Sequence, residues 1–191
     1  MPKISIERKI LHSAVSELTK AHPGSNITGY TCDISKRDNL TELHNKILET
    51  TSAPVDILIN NAGIVSGKPM LQLSEQDIRR TIDVNLLGQF WSCQEFLPGM
   101  IEKRSGMIVT IASTMGFFSA ANLSDYCASK HGLIGFHNAL RLETEKTGAD
   151  ISFVLVCPNS IATGMFEGIK VGLQWAVPVL KPSTVASATI K

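Results

Sequence analysis

Excess charge of either sign, paired cysteines, metal-ligand spacing and long apolar runs are all missing from this chain, and each absence removes a class of function. Lysine plus arginine number 18 against 17 aspartates and glutamates, for a net charge of +1, which recommends neither nucleic acid nor an acidic membrane as a partner. The four cysteines, Cys32, Cys93, Cys127 and Cys157, are dispersed without a C-x-x-C pair. They read as free thiols in a reducing compartment rather than as a disulfide framework. The five histidines, His12, His22, His44, His131 and His137, show no ligand spacing with cysteine or carboxylate, and no metal is expected. No unbroken apolar run approaches the ~18 residues of a membrane span, and the N-terminus carries no signal-peptide core. The chain as written is expected to be soluble and cytoplasmic, without a membrane span. Repeats and low-complexity linkers are absent too.

What is present is an ordinary globular composition, 43% apolar and 18% charged over 191 residues, enough for one domain with a sizeable core. Apolar runs bounded by turn residues alternate with longer segments of helical period, the pattern of a parallel sheet covered by helices. The runs read as strands are Ile4–Ile6, Ile27–Thr31, Val55–Ile59, Met107–Ile111 and Ile151–Val156. Helices are expected over Arg8–Thr19, Arg37–Glu49, Glu75–Glu102 and Asp125–Lys146. One helix start is legible in detail: Ser74 is a cap, Asp77 can return the capping bond, and Leu73 can staple onto Ile78. After Asn159 the sequence turns irregular and apolar, with Met165, Phe166, Leu173, Trp175, Val177, Val179 and Leu180 broken by Gly and Pro. A flexible apolar lid is one reading of that stretch, and a docking surface for another subunit is the alternative.

Chemistry concentrates at Ser113 and in Tyr126-Cys127-Ala128-Ser129-Lys130. Tyr126 and Lys130 stand at i and i+4 and share a helix face. An ammonium ~5 Å from a phenol, at an effective dielectric of ~20, favours the phenolate by ~3 kcal/mol, or roughly two pKa units. That would bring the phenol toward the range of general acid–base chemistry on an alcohol or carbonyl. A lone Y-x-x-x-K is also met on many helix surfaces as a plain pair.

Taken together, Cys32-Asp33-Ile34-Ser35, Asn60-Asn61-Ala62-Gly63, Asn85, Ser113, Tyr126, Lys130 and Pro158 through Thr163 resemble the short-chain dehydrogenase/reductase family, in the same order and at family-like spacing. The resemblance runs over nearly the whole chain. It implies a Rossmann-like, doubly wound parallel sheet with helices on both faces and NAD or NADP as cofactor. Tyr126 would exchange a proton with the substrate oxygen, and Lys130 would depress its pKa and bond the nicotinamide ribose. Ser113 would hold the substrate oxygen, with strand-end capping as its bland alternative. Asn85, in Asp83-Val84-Asn85-Leu86, would anchor a water linking Lys130 to solvent, or else bond only to a neighbouring backbone.

Cofactor contacts are implied at the carboxyl ends of the strands. Asp33 would accept from the adenine amino group, and Asn60, Ala62 and Gly63 would lie along the adenosine ribose, with a structural turn as the alternative for the asparagines. Ile161 and Thr163 would hold the carboxamide. Asn159 stands where the family usually has glycine, a mild departure because asparagine tolerates positive φ. The subgroup resembled most is that of epidermal retinol dehydrogenase and the lipid-droplet 17-beta-hydroxysteroid dehydrogenases, on the stretches 26–35, 57–68 and 163–182. This implies a lipophilic alcohol or ketone as substrate, a homodimer through the Asn85 and Tyr126 helices, and association with endoplasmic reticulum or lipid droplets.

One element of the family pattern has no counterpart. No G-x-x-x-G-x-G turn, which would set a pyrophosphate on a helix N-terminus, occurs upstream of Cys32. The chain begins at what looks like the second strand and stops before the family's last one, so the first, central strand should be missing and a gap should open in the sheet, unless Ile4–Ile6 slides into it. Glu7 is a candidate for the acidic residue that selects NAD, or a solvated helix-start charge. The class-distinct alternative to an enzyme is a non-catalytic scaffold of this family that binds a lipid or partner protein.

Overall fold

The β-branched runs Ile57–Asn60 (β1), Ser105–Ile111 (β2) and Asp150–Val156 (β3) form a parallel sheet of three strands in the order β1-β2-β3. The computed structural model describes residues 3–166 and 179–189, with side chains from residue 10. Leu58, Ile108 and Phe153 are in register across the sheet, so their side chains share one face. That face carries the main core. Cys93, Leu97 and Met100 of α4 (Gly88–Glu102) close over it together with Phe136 and Leu140 of α5 (Ser124–Glu145). The helix α2 (Arg37–Thr51) packs in turn on α4. Long crossovers through α4 and α5 are what make the three strands parallel.

The expected helix over Glu75–Glu102 is present, with one modification. It starts as α3 (Glu75–Ile82), passes through a π-helical stretch at Asp83–Leu87, and continues as α4. Its start follows the capping box: Ser74 Oγ accepts from the Asp77 N–H at 3.1 Å, and Asp77 Oδ2 accepts from the Ser74 N–H at 3.0 Å. Bonds from Lys68 and from Ser74 hold the Asp77 carboxyl down at about 2.

Two expected strands do not form. Ile4–Ile6 lies inside the helix α1 (Lys3–Ala21), and Ile27–Thr31 forms no ladder. A strand exists only where a neighbour takes its backbone bonds, and β1 pairs with β2 alone among the described residues. Its other edge borders a groove of about 300 Å³ lined by Ile34, Leu40, Leu43, Ile57 and Ile59. Ile4–Ile6 does not slide into that place. Ile57 and Ile59 are 54% and 55% exposed in consequence. The 27–31 segment instead packs under α1, where a Cβ on Gly29 would meet Leu11 and Val15. Of the apolar stretch after Asn159, Leu173, Trp175 and Val177 fall outside the described residues, as does the side chain of Glu7.

Core and cap should differ measurably in stability. Met100 is fully buried against the sheet, so Met100→Ala is expected to destabilise by ~2–5 kcal/mol, whereas Ser74→Ala, which removes one capping acceptor, should cost ~1 kcal/mol. Urea unfolding of both variants checks the ranking; equal midpoints would contradict it.

Candidate active site

The carboxyl end of β2 and the first turns of α5 bring the chemistry-bearing residues together. The β2–β3 ladder runs on past the strands, with the Ala112 N–H donating to the Val156 carbonyl at 2.8 Å and the Thr114 N–H to the Pro158 carbonyl at 3.0 Å. This sets Ser113 beside the segment Cys157-Pro158. Its backbone is extended and its Oγ accepts from the Met115 N–H at 3.1 Å, opening a 3-10 turn over Thr114–Gly116. The strand-end cap is therefore present, and it leaves the hydroxyl proton free to donate.

Tyr126 and Lys130 face the same way, as i,i+4 spacing requires. Lys130 Nζ lies 5.8 Å from the centroid of the Tyr126 ring and donates to the Ile111 carbonyl at the end of β2, 3.0 Å away. Both side chains are buried, at 4% and 3% exposure. Burial dominates their protonation. It pushes the Tyr126 phenol up, with a hydrogen bond from Ser113 drawing it partway back, and brings the Lys130 ammonium down to about 8. This corrects the expectation that Lys130 lowers Tyr126: the sequence arithmetic counted the attraction and left out the desolvation of both groups.

Asn85 sits in the π-helical stretch and is fully buried. Its carboxamide clasps one residue of the loop after β1, accepting from the Ile64 N–H at 2.8 Å and donating to the Ile64 carbonyl at 2.9 Å. The second amide proton goes to Ser129 Oγ at 3.0 Å, and Ser129 in turn donates to the Tyr126 carbonyl at 2.7 Å. The backbone bond that was the bland alternative for Asn85 is thus real. Gly63 lies just before the clasp. A Cβ there would stand 3.7 Å from Lys130 Nζ and 3.5 Å from Asn85 Oδ1, so the bare backbone leaves space against both.

The remaining candidates are more scattered. Asn60 is turned into the core, where Oδ1 accepts from Ser92 at 2.7 Å and Nδ2 donates to Cys93 Sγ at 3.4 Å, so its side chain braces β1 to α4. The Ala62 carbonyl accepts from Gln89 at 3.4 Å. Asp33 is exposed, with Oδ1 held by the N–H and hydroxyl of Ser35 at 3.0 and 2.7 Å. Below it, Ile34 packs so closely on Gly88 that a Cβ there would come within 2.9 Å. Ile161 bridges Leu180, and the Thr163 N–H folds back to the Ile161 carbonyl at 2.8 Å. Ser129 and Ile64 were not singled out by sequence reasoning. Ser129 carried a signal, since it lies inside Y-x-x-x-K; Ile64 carried none.

Apolar side chains enclose the phenol. Leu123, Tyr126 and Cys127 cluster with Val65, Met115 and Ala120, and the Phe166 ring meets Tyr126 edge-on at 5.7 Å. Buried acid, donor hydroxyl, ammonium and a bare backbone loop together suit proton exchange with an apolar molecule bearing oxygen.

The family profile described as short chain dehydrogenase matches residues 4–173. Retinol dehydrogenase 10-B of Danio rerio is 43% identical over 172 residues, covering 88% of this chain and 50% of that protein. Retinol dehydrogenase 10 of Homo sapiens is 39% identical over 173 residues, covering 89% and 50%. The chain spans about half the length of the curated relatives it matches. Among solved structures, a short chain dehydrogenase/reductase from Burkholderia phymatum in complex with NAD superposes with a TM-score of 0.78 at 27% identity, over 84% of this chain and 56% of that one. An alcohol dehydrogenase from Thermococcus sibiricus complexed with 5-hydroxy-NADP gives 0.80 at 26%, over 96% and 74%.

The lowered Lys130 pKa has a consequence for stability. Between about 8 and the ordinary lysine value of 10.5, the unfolded chain holds a proton at Lys130 that the folded chain has released, so this group's contribution to stability rises with pH across that window. Below it, the buried charge is a constant cost. Lys130→Met should accordingly be more stable than the parent at pH 7, with the advantage shrinking as pH rises from 8 toward 10. Chemical denaturation of both proteins at the two ends reads this out; an advantage independent of pH would show that Lys130 keeps its ordinary pKa.

Proposed function

The chain belongs to the short-chain dehydrogenase family, and from that premise we propose that it is an oxidoreductase acting on a lipophilic alcohol or carbonyl of retinoid- or steroid-like character, with Tyr126 as the general acid–base. The observation that carries this reading is the burial of Tyr126, Ser113 and Lys130 at one strand end under an apolar wall. NAD or NADP, when bound, supplies or accepts the hydride at the carbon bearing the substrate oxygen.

The residues present fit the nicotinamide and ribose end of such a cofactor. A Cβ on Gly63 would still stand 3.7 Å from Lys130 Nζ and 3.5 Å from Asn85 Oδ1, so its backbone leaves room there, and Ile161 and Thr163 follow Pro158, whose carbonyl accepts from the Thr114 N–H. Asp33 presents an exposed carboxylate for the adenine end. The glycine-rich turn for the pyrophosphate is not among these 191 residues.

Ser113 donates its hydroxyl to the substrate oxygen, and Tyr126 gives up or takes the proton at that oxygen. Lys130, near its midpoint at about 8, exchanges a proton with the phenol's surroundings without a large uphill step. The Asn85 carboxamide is committed to Ile64 and Ser129. A relay water would therefore have to share Oδ1, the carboxamide oxygen that accepts from the Ile64 N–H. The apolar wall of Val65, Met115 and Phe166 favours a hydrocarbon body on the substrate. A homodimer would use α4 and α5, which already meet through the stacked rings of Phe90 and Phe136 at 3.8 Å. No described helix is long and apolar enough to cross a membrane; association with endoplasmic reticulum or lipid-droplet surfaces would be peripheral for these residues.

Titration with NADH and NADPH, followed by energy transfer from Trp91, should give saturable binding. With a retinoid or steroid test substrate, Tyr126→Phe should lower turnover by ~10²–10⁴-fold and leave cofactor affinity unchanged. No binding into the millimolar range would instead favour a non-catalytic scaffold that binds a lipid or a partner protein, and unchanged turnover would remove the proton-transfer role.

A further inference from the structure

Two residues beyond the Asn85 clasp, the same loop is gripped a second time, by groups that the proton-transfer scheme does not use. Asp125 Oδ2 accepts from Ser66 Oγ at 2.7 Å and from Thr81 Oγ1 at 2.8 Å, and the two hydroxyl oxygens lie 3.2 Å apart. Asp125 is 5% exposed and Thr81 is fully buried. Three elements meet at one carboxylate oxygen. Ser66 belongs to the loop that carries Gly63, Thr81 to α3 just before the π-helical stretch, and Asp125 to the first turn of α5, immediately before Tyr126.

We propose that Asp125 is a positioning residue for the site, its carboxylate latching the Gly63 loop and α3 onto the helix that bears Tyr126 and Lys130. A charged acceptor suits this task better than a neutral pairing of the hydroxyls. Each hydroxyl has a single proton, and both are drawn to Oδ2; without that acceptor one could bond the other, leaving at least one buried donor or acceptor poorly satisfied. The N-terminal turn of α5 favours the negative charge. The latch acts on Lys130 through the loop. A Cβ on Gly63 would stand 3.7 Å from Nζ, so the loop backbone runs beside the ammonium and limits its access to water, and it keeps that position because Ile64 is clasped by Asn85 and Ser66 by Asp125. The charge of Asp125 is not among the groups that set the titration of Lys130, where burial leads and Cys157 follows. Its influence is therefore geometric, and a neutral residue of the same shape should preserve it.

This inference rests on the reading of Lys130 as part of the site, and its test does not require turnover. In the full chain labelled with ¹³Cε-lysine, the Lys130 resonance is followed through a pH titration, with Tyr126 and Cys157 as the other titratable groups nearby. The parent should titrate at about 8. Asp125→Ala should raise the midpoint by about one unit or more, as the released loop admits water to the ammonium. Asp125→Asn should leave it in place, since Asn can present one oxygen to both hydroxyls while its amide replaces Oδ1, which has no partner among the described residues. An unmoved midpoint in folded Asp125→Ala, or an equal rise in Asp125→Asn, would overturn the latch. If Asp125→Ala does not fold, Ser66→Ala removes only the loop's grip and must produce the same upward shift; a midpoint at the parental value there overturns the proposal as well. Failure of Tyr126→Phe to affect turnover bears on the enzyme reading alone and leaves this titration to judge the latch.

Discussion

The ammonium of Lys130 is almost entirely out of water, 3% exposed, and an ion of that size loses several kcal/mol of hydration unless polar groups replace it. A hydrogen bond to the Ile111 carbonyl replaces part. Burial leaves a shortfall, which emerges as a pKa lowered to about 8. Neighbouring elements are arranged around that group: β2 supplies the carbonyl, the loop after β1 supplies Gly63 beside it, and α5 supplies the buried phenol. A site in which the cation is held weakly enough to release its proton near neutrality is suited to proton exchange in a way that a fully paired lysine would not be.

How much of this could be read from the chain depends on how far each feature reaches through space. The Tyr126–Lys130 geometry follows from helix period alone, and the capping box at Ser74 from local hydrogen-bond chemistry, so both were legible. β1, β2 and β3 announced themselves as apolar runs at turn boundaries. Ile27–Thr31 and Ile4–Ile6 carry the same composition yet form no ladder, because strand character belongs to a pair of segments and not to one. The protonation of Tyr126 was misjudged for a related reason: its burial is set by Phe166, Val65 and Met115, residues far away in sequence. The group formed by Ser66, Thr81 and Asp125 follows no period, and nothing short of a structure would have assembled it.

Asn85 raises the question of why an amide should stand inside a helix where propensity disfavours it. The π-helical stretch at Asp83–Leu87 offers a physical answer. One added residue per turn lets the Asn85 carboxamide point fully into the interior, where it makes toward Ile64 the two bonds that a neighbouring strand would make, one to the N–H and one to the carbonyl. The half-buried loop leaving β1 would otherwise carry unpaired backbone groups at up to ~1–3 kcal/mol each. Aspartate could accept but not donate, and leucine could do neither, so only a side chain with peptide-like chemistry fills the role. Its second proton reaches Ser129 and through it the first turn of α5. The loop, the π-helical stretch and the Tyr126 helix are thereby joined by side-chain amide and hydroxyl bonds that do not pass through the sheet. These contacts reach the groove beside β1 as well, since Gln89, which follows the π-helical stretch, lines it and donates to the Ala62 carbonyl of the same loop.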